Sequence, residues 1–145
     1  MVAGAEKEEL VVTTVAHKEV ALIFRGFECS PERVEELLGA RASEKGVRGG
    51  PVRPGVKATL RRSFARFSVS LDPTVRLDQV IPLLLDELGG LDRLIDVRDS
   101  VAPEFFEINT LWPVKNSEEQ EGGFFPSSVI SNLAGLRCSL SFSFS

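Results

Sequence analysis

One uninterrupted apolar run near the start of the chain constrains the fold more than any other segment. Residues 20–24 read VALIF, and no polar residue alternates with the apolar ones. A strand with one face in water would show such an alternation, so this strand should be covered on both faces. We therefore expect a sheet that is built around residues 19–24.

A short capped helix follows this strand. Ser30 suits the N-cap because its hydroxyl can accept a hydrogen bond from a free backbone N–H, and Pro31 suits the first helical position. Gly39 can adopt the left-handed conformation that ends a helix. The apolar positions are spaced at i, i+3 and i+4 and give one buried stripe: Val34, Leu37 and Leu38. Residues 19–40 thus predict a βα unit.

The length and composition of the chain fit one globular domain. With 145 residues, 43% of them hydrophobic, it can bury about two thirds of its unfolded surface without a disulfide or a metal. The acidic start differs from a secretory signal, and no run approaches the roughly 18 apolar residues of a membrane span. We expect a cytoplasmic protein with a single α+β domain over 19–145. Residues 1–18 would form an N-terminal arm or an extra edge strand, because Leu10 to Val15 is β-prone.

Alternation of apolar and polar residues predicts four more strands. Pro103 separates two of them and suits a hairpin. The alternation is clearest at the end of the chain, where every second residue from Ser139 to Ser145 is a serine. The four predicted strands cover about 63–71, 93–98, 104–112 and 138–145.

Two more helices are predicted. A helix that began at Asp72 or Thr74 would hold Pro82 in its interior at a cost of about 3 kcal/mol, whereas an N-cap at Asp78 leaves Pro82 in the first turn. Gly89 and Gly90 would end this helix. A short helix over 128–134 precedes the last strand. The segments 41–58 and 113–123 are predicted to be long polar loops.

The predicted element order is β-α-β-α-β-β-α-β. It indicates an α+β two-layer sandwich, with a mostly antiparallel sheet of about five strands and helices on one face, related to the ferredoxin-like type. Segments 34–39 and 130–135 match in their apolar, polar and glycine positions. This match favours two diverged βαβ units, 19–71 and 104–145, although six positions can also match by chance.

Two parts of the chain resemble one protein family. A strand followed by Cys29-Ser30-Pro31 and by a helix that closes in Leu37-Leu38-Gly39 resembles the bacterial family called domain of unknown function 4279. Residues 133–136 (LAGL), which lead into a terminal strand with alternating small polar residues, resemble it too. The resemblance covers about residues 19–145 and implies no established activity, cofactor or catalytic residue.

Residue types that carry catalysis or bind metals are scarce. His17 is the only histidine, there is no tyrosine, and no hydrolase, zinc-protease, dinucleotide or P-loop signature occurs. Cys29 and Cys138 lie in no CxxC or Cys/His spacing and are expected to be buried small hydrophobes. We therefore predict no metal, no cofactor and no enzymatic activity. The hydrolytic alternative would use a carboxylate pair: Glu104 with Glu107, or Asp96 with Asp99.

Charge is strongly segregated along the sequence. Between Arg41 and Arg66, eight basic residues stand against one acid, Glu44, which gives +7, so the rest of a chain of net charge −4 carries −11. Such a segment can steer an anionic partner, and its glycines let backbone N–H groups approach an anion. The candidate anion- or partner-binding residues are Arg41, Lys45, Arg48, Arg53, Lys57, Arg61 and Arg62.

Two functions fit this pattern. The first is a non-enzymatic interaction module, accessory or immunity-like, that binds a protein through the basic loop. The second is a sensor that binds a small anionic metabolite at the basic 41–62 loop. A solvated loop on an acidic body would also explain the charges. Nucleic acid is disfavoured as a partner because the chain is acidic and no aromatic residue interleaves the basic ones before Phe64. A membrane partner is not expected either.

The serines of the last strand suggest a second surface. If Ser139, Ser141 and Ser143 point away from the helices, that sheet face or edge is small, flat and uncharged. A second copy of the chain could then cover it and form a homodimer. The alternative is an ordinary solvated face.

Overall fold

A computed structural model describes residues 17–113 and 123–144. The five strands of the described residues form one sheet in the order β2-β3-β1-β4-β5, in which β4 and β5 are parallel and the other neighbours antiparallel. Helices cover one face, so the predicted α+β sandwich with a mostly antiparallel sheet is confirmed. The elements are β1 (Lys18–Arg25), α1 (Pro31–Leu38), β2 (Glu44–Gly46), β3 (Phe64–Leu71), α2 (Leu77–Glu87), α3 (Leu91–Val101), β4 (Phe105–Trp112), α4 (Ser127–Leu136) and β5 (Ser139–Phe144).

Strand β1 lies at the centre of the sheet, as its unbroken apolar run predicts. Val20, Leu22 and Phe24 face the helices and join the hydrophobic core, while Ala21 and Ile23 are buried on the opposite face. The ring of Phe24 lies 5.9 Å from that of Phe67 and 4.9 Å from that of Phe106, centroid to centroid. Pairs at these distances add about 0.5–1.5 kcal/mol each beyond burial. The core is therefore organised around β1.

Helix α1 has the ends that its sequence predicts. The backbone N–H of Arg33 donates to Ser30 Oγ over 3.2 Å, and Pro31 is the first helical residue. Gly39 ends the helix with φ +73°, in the left-handed region. Val34 and Leu38 are buried and face the sheet and α3. The βα unit is confirmed.

The predicted strand over 93–98 is wrong, because these residues belong to helix α3. The buried residues of α3 follow helical spacing at i, i+3 and i+7: Leu94, Val97 and Val101. Ile95 and Val97 also fit the two-residue period of a strand. Over so short a run, periodicity cannot distinguish a strand from a helix. Pro103 accordingly joins a helix to β4, and the predicted hairpin does not form.

Helix α2 starts two residues before the predicted position. Its N-cap is Arg76, whose backbone N–H donates to the Gln79 side chain over 2.9 Å, and not Asp78. Pro82 therefore lies within the helix, on its exposed side, and the carbonyl of Asp78 loses its helical partner. The predicted end at Gly89 is confirmed, with φ +98°.

The predicted loop over 41–58 contains regular structure. Residues 44–46 form β2, which pairs with β3. Residues 47–62 then form a hairpin that is closed by backbone hydrogen bonds. The five strands of the described sheet are therefore not the five predicted ones, since β2 stands in place of the segment 93–98.

The two predicted βαβ units are not equivalent in the structure. Strands β1 and β3 pair antiparallel, whereas β4 and β5 pair parallel. Val34 is fully buried, but its counterpart in the matched segments, Ile130, is exposed. Gly39 ends its helix, whereas Gly135 lies inside α4. The match between the segments is therefore local.

Two predicted features fall on residues that the structure does not describe. The β-prone segment from Leu10 to Val15 lies outside the described residues, as does most of the polar loop over 113–123. Over 17–113 and 123–144, no helix has the length and apolar character needed to cross a bilayer.

Candidate partner- and anion-binding site

The seven predicted basic residues do not form one patch. Lys45 lies against α1, and Arg41 lines a surface depression beside the same helix. Arg53 and Lys57 lie near the tip of an exposed excursion of the chain. A pocket at the base of that excursion brings together three others: Arg48, Arg61 and Arg62. The fold therefore divides the basic segment into three separate surfaces.

Residues 47–62, which we call the basic hairpin, extend the β2–β3 pair beyond the sheet. Gly49 N–H donates to Leu60 O over 2.9 Å, and Leu60 N–H donates to Gly50 O over 2.8 Å. The turn at its tip closes where Val56 N–H donates to Arg53 O over 3.1 Å. Between these residues lie Pro54 and Gly55, and Gly55 has φ +79°. Proline followed by a glycine of positive φ is typical of a type II turn, so the Pro-Gly pair signals this hairpin in the sequence.

The basic hairpin exposes apolar as well as basic side chains. Val47, Val52 and Val56 are 53%, 46% and 38% exposed. Arg53 and Lys57 are also exposed, and neither makes an ion pair within the described part of the chain. The hydrophobic core contains no residue of the hairpin. These valines were not among the predicted site residues, because single apolar residues in a loop carry no periodic signal.

A pocket of about 350 Å³, which we call the basal pocket, lies where the hairpin meets the sheet. Its walls are the β1–α1 connection over 26–30, both ends of the hairpin, and Glu104. Ser63 is buried at the base of the hairpin, where its Oγ accepts from the backbone N–H of Arg48 over 3.0 Å. This bond fixes the backbone from which Arg48 projects. The walls of the pocket thus hold three arginines and two glutamates, Glu28 and Glu104.

One of the three arginines that line the basal pocket already has a carboxylate partner. Arg62 Nε lies 3.3 Å from Glu104 Oε2, and the guanidinium carbon lies 5.0 Å from the ring centroid of Phe105. Arg48 and Arg61 make no ion pair among the described residues. An anion that entered the pocket would therefore find two cations without an internal partner and a third that Glu104 holds in place.

Lys45 is bound internally. Its Nζ lies 2.7 Å from Glu35 Oε1 and 3.1 Å from Glu32 Oε2. The hydrogen bond from Lys45, together with that from the backbone N–H of Ala42, lowers the pKa of Glu35. The same glutamates raise the pKa of Lys45. This predicted site residue therefore joins β2 to α1, and its charge is already compensated.

The two proposed carboxylate pairs lie in different environments. Glu104 lines the basal pocket, whereas Glu107 faces the open side of the sheet and accepts a hydrogen bond from Ser141 over 2.8 Å. Asp96 and Asp99 lie on helix α3 and not in the sheet, and Asp99 pairs with Arg98 at 2.7 Å. Because the strand predicted over 93–98 is part of a helix, neither aspartate lies in the sheet.

The two thiols are free and partly buried. Cys29 and Cys138 both pack against the hydrophobic core, which agrees with their expected role as small hydrophobes. Burial raises the pKa of Cys138 to about 11. Over 17–113 and 123–144, no three His, Cys, Asp or Glu side chains are grouped as metal ligands.

One buried charged residue was not predicted. Lys18 is only 3% exposed and donates to Pro73 O over 2.7 Å and to Val75 O over 2.8 Å. Its ammonium lies 4.4 Å from the ring centroid of Trp112. Lys18 therefore links the connection before α2 to strands β1 and β4.

Comparisons of the chain with protein-family models, curated proteins and solved structures give no significant match. The resemblance to the domain of unknown function 4279 family therefore stays a prediction.

Proposed function

We propose that the protein is a non-enzymatic interaction module that uses the basic hairpin to bind an acidic surface of a protein partner. The observation that supports this function is the composition of the hairpin tip, where Val52 and Val56 are exposed beside Arg53 and Lys57. Interfaces combine an apolar centre with complementary charges around it. An accessory or immunity-like role in the cytoplasm is the biological setting that this proposal implies.

The backbone hydrogen bonding of the hairpin supports the same function. Its strands are joined by backbone hydrogen bonds of 2.8 and 2.9 Å, and its tip is closed by a turn. A surface that is ordered before binding loses less conformational entropy when the partner arrives. Because the hairpin contributes nothing to the hydrophobic core, its exposed valines are free to pack against another molecule.

Affinity capture with matched variants tests the docking proposal. The hairpin variant carries V52S, R53S, V56S and K57S, and the control variant R33S/R76S removes two exposed arginines elsewhere. We expect an acidic protein that the wild type and the control retain and that the hairpin variant loses. With the partner purified, the affinity should fall as the salt concentration rises, because exposed charges are screened. Equal capture by all three proteins would refute the docking role.

The basal pocket favours a second candidate function, a sensor of a small anion. Arg48 and Arg61 line its walls without internal ion pairs among the described residues, and arginine binds phosphate and carboxylate groups in bidentate fashion. A volume of about 350 Å³ lies within the range of small-molecule sites.

Thermal unfolding with defined anions separates the sensor from the docking module. The probes are inorganic phosphate, pyrophosphate and citrate, compared at equal ionic strength. A sensor should show a saturable rise in Tm, since a ligand at 100 times its Kd adds about 2.7 kcal/mol. The rise should disappear in R48S/R61S and persist in R33S/R76S. A rise of equal size in both variants would exclude the basal pocket.

A further inference from the structure

The two edges of the sheet differ in how they are protected. Strand β2 at one edge has only three residues and carries Glu44 and Lys45. Strand β5 at the other edge has six residues with no charge and no proline. Within the described residues, no strand pairs with the outer edge of β5. Proteins normally protect such edges with charges, prolines, bulges or short strands, so β5 has the properties of a pairing surface.

Both faces of β5 are suited to pairing. On the helix side, Phe142 and Phe144 remain 37% and 62% exposed, and their rings stack with centroids 5.9 Å apart. On the open side, Ser141 Oγ donates to Glu107 over 2.8 Å and accepts from Asn109 Nδ2 over 2.8 Å. These bonds hold β5 against β4, so the strand is ordered before any partner binds. An exposed aromatic pair beside an unpaired backbone is a surface that a further strand would cover.

We infer that β5 pairs antiparallel with β5 of a second copy of this chain, about a twofold axis, so that two sheets become one. Residues that face each other across such a pair lie on the same side of the sheet. In every register that places the serines of both strands on the same side of the joined sheet, serine lies opposite serine. Leu140 or Phe142 then lies opposite an apolar residue. The absence of charge within β5 means that no like charges oppose each other.

The alternating sequence is what selects a second copy as the occupant. A twofold interface requires a surface that is complementary to itself, and a strand of alternating serine and apolar residues meets that condition. The dimer also leaves the proposed docking surface free. The basic hairpin extends from the β2–β3 pair, at the edge opposite β5, so the two hairpins would lie at the far ends of the joined sheet.

The oligomeric state in solution provides the first test. We expect light scattering after size-exclusion chromatography to give twice the chain mass of 15.9 kDa as the concentration rises from about 5 to about 200 µM. The variant S139K/S143K should weaken association at least about tenfold, because four lysines would face one another across the pair. The control S70K/S100K adds the same charge at exposed sites away from β5 and should dimerise like the wild type.

Charge complementation provides the second test. S139E/S143E alone should associate as weakly as S139K/S143K, whereas an equimolar mixture of the lysine and glutamate variants should restore the dimer. Far-UV circular dichroism of each variant checks that the fold is retained. A monomeric wild type at about 200 µM, a dimer that S139K/S143K leaves intact, or a mixture of folded variants that stays monomeric would each overturn the inference.

Discussion

Lys18 shows how one buried charge can fix the path of the chain. Its Nζ donates to the carbonyls of Pro73 and Val75, which lie in the turn before α2, and it lies against the ring of Trp112 in β4. Hydrogen bonds from a charged donor contribute about 1.5–3 kcal/mol each. A single side chain at the start of β1 thus connects three elements that are distant in sequence.

Replacing this lysine should weaken the fold without affecting the proposed docking surface. We expect Lys18→Met to lower the free energy of unfolding by about 2–3 kcal/mol, since two carbonyl oxygens lose a charged donor. Urea denaturation followed by circular dichroism measures the change. Lys57→Met, at an exposed hairpin position, should change the same quantity by less than about 0.5 kcal/mol. Equal midpoints for the two variants would contradict the role assigned to Lys18.

The pair of Glu35 and Lys45 makes stability depend on pH. Glu35 has a lowered pKa in the folded protein, so its contribution is present above its unfolded pKa and is lost as the pH falls through the folded value. Lys45 has a raised pKa, so its contribution is present at neutral pH and is lost as the pH rises through the folded value. The pair should therefore stabilise the protein across the neutral range.

Glu35→Gln isolates this effect because the amide oxygen can still accept from Ala42. We expect the wild type to be more stable than the variant at neutral pH, and the two to converge as the pH falls through the lowered folded pKa of Glu35, below which the carboxyl is protonated in both the folded and the unfolded state. Chemical denaturation at a series of pH values gives the comparison. In a Lys45→Met background, the effect of Glu35→Gln on the free energy of unfolding should depend less on pH. A difference in stability that is constant across pH would show that the carboxylate charge plays no part.

Sequence predicted some residues of the candidate site and missed others for a physical reason. The N-cap at Ser30 depends only on its neighbours, so it could be predicted. Whether a basic residue is free depends on acids in distant elements, and Lys45 is paired by two glutamates of α1. Charge counting along the chain cannot show that pairing.

At the scale of elements, two glycines that match in sequence have opposite roles. Gly39 has φ +73°, and an added Cβ would lie 2.6 Å from Arg93 Nη2. Gly135 lies inside α4, and an added Cβ would meet no atom within 4 Å. The first glycine is required by its conformation, whereas the second only weakens its helix.

Substitution by alanine should therefore have opposite signs at the two positions. We expect Gly39→Ala to destabilise the protein by about 1–2 kcal/mol, because alanine is strained in the left-handed region. Gly135→Ala should stabilise it by about 0.5–1 kcal/mol, because alanine favours the helix. The midpoints of thermal unfolding compare the two. Destabilisation of similar size at both glycines would favour the repeat that the sequence suggested.

The elements that sequence predicted well are those whose signals are local. Helix α1 has a cap, a stripe and a terminating glycine, and β4 alternates over its full length. Helix α3 was missed because the apolar residues of 93–98 fit both periods. Strand β2 has only three residues and is defined by its pairing with β3, so no pattern within it could identify it.

At the scale of the whole molecule, the basic hairpin lies outside the hydrophobic core. The core cluster contains no residue from 47–62, and Gly50 and Leu60 are joined by a hydrogen bond of 2.8 Å across the hairpin. A short turn that connects Gly50 directly to Leu60 should preserve this hydrogen bond.

Removing the tip should therefore leave the fold intact. We expect replacement of residues 51–59 by Asn-Gly, which favours a tight two-residue turn, to change the free energy of unfolding by less than about 1 kcal/mol. Leu94→Ala, at a fully buried position, should cost about 2–5 kcal/mol in the same assay. A truncated protein that unfolds without cooperativity would show that the hairpin supports the core.

The fold class could be predicted because an apolar strand, amphipathic helices and alternating strands leave few ways to build layers. Strand direction could not be predicted. The periodicities of β3 and β5 indicate strands, but they do not show that β3 runs antiparallel to β1 while β5 runs parallel to β4. Direction depends on how the connections cross the sheet, which periodicity does not record.

The central position of β1 has a consequence for biosynthesis. The ribosome completes β1 long before its partners, since β3 ends at Leu71 and β4 at Trp112. At about 5–20 residues per second, roughly 4–17 s pass between the synthesis of Arg25 and that of Trp112. During this interval the uncharged segment 20–24 lacks first both of its neighbouring strands and then, once β3 is made, β4, so it is prone to aggregation. A chaperone that held this segment until β3 and β4 were made would therefore limit aggregation.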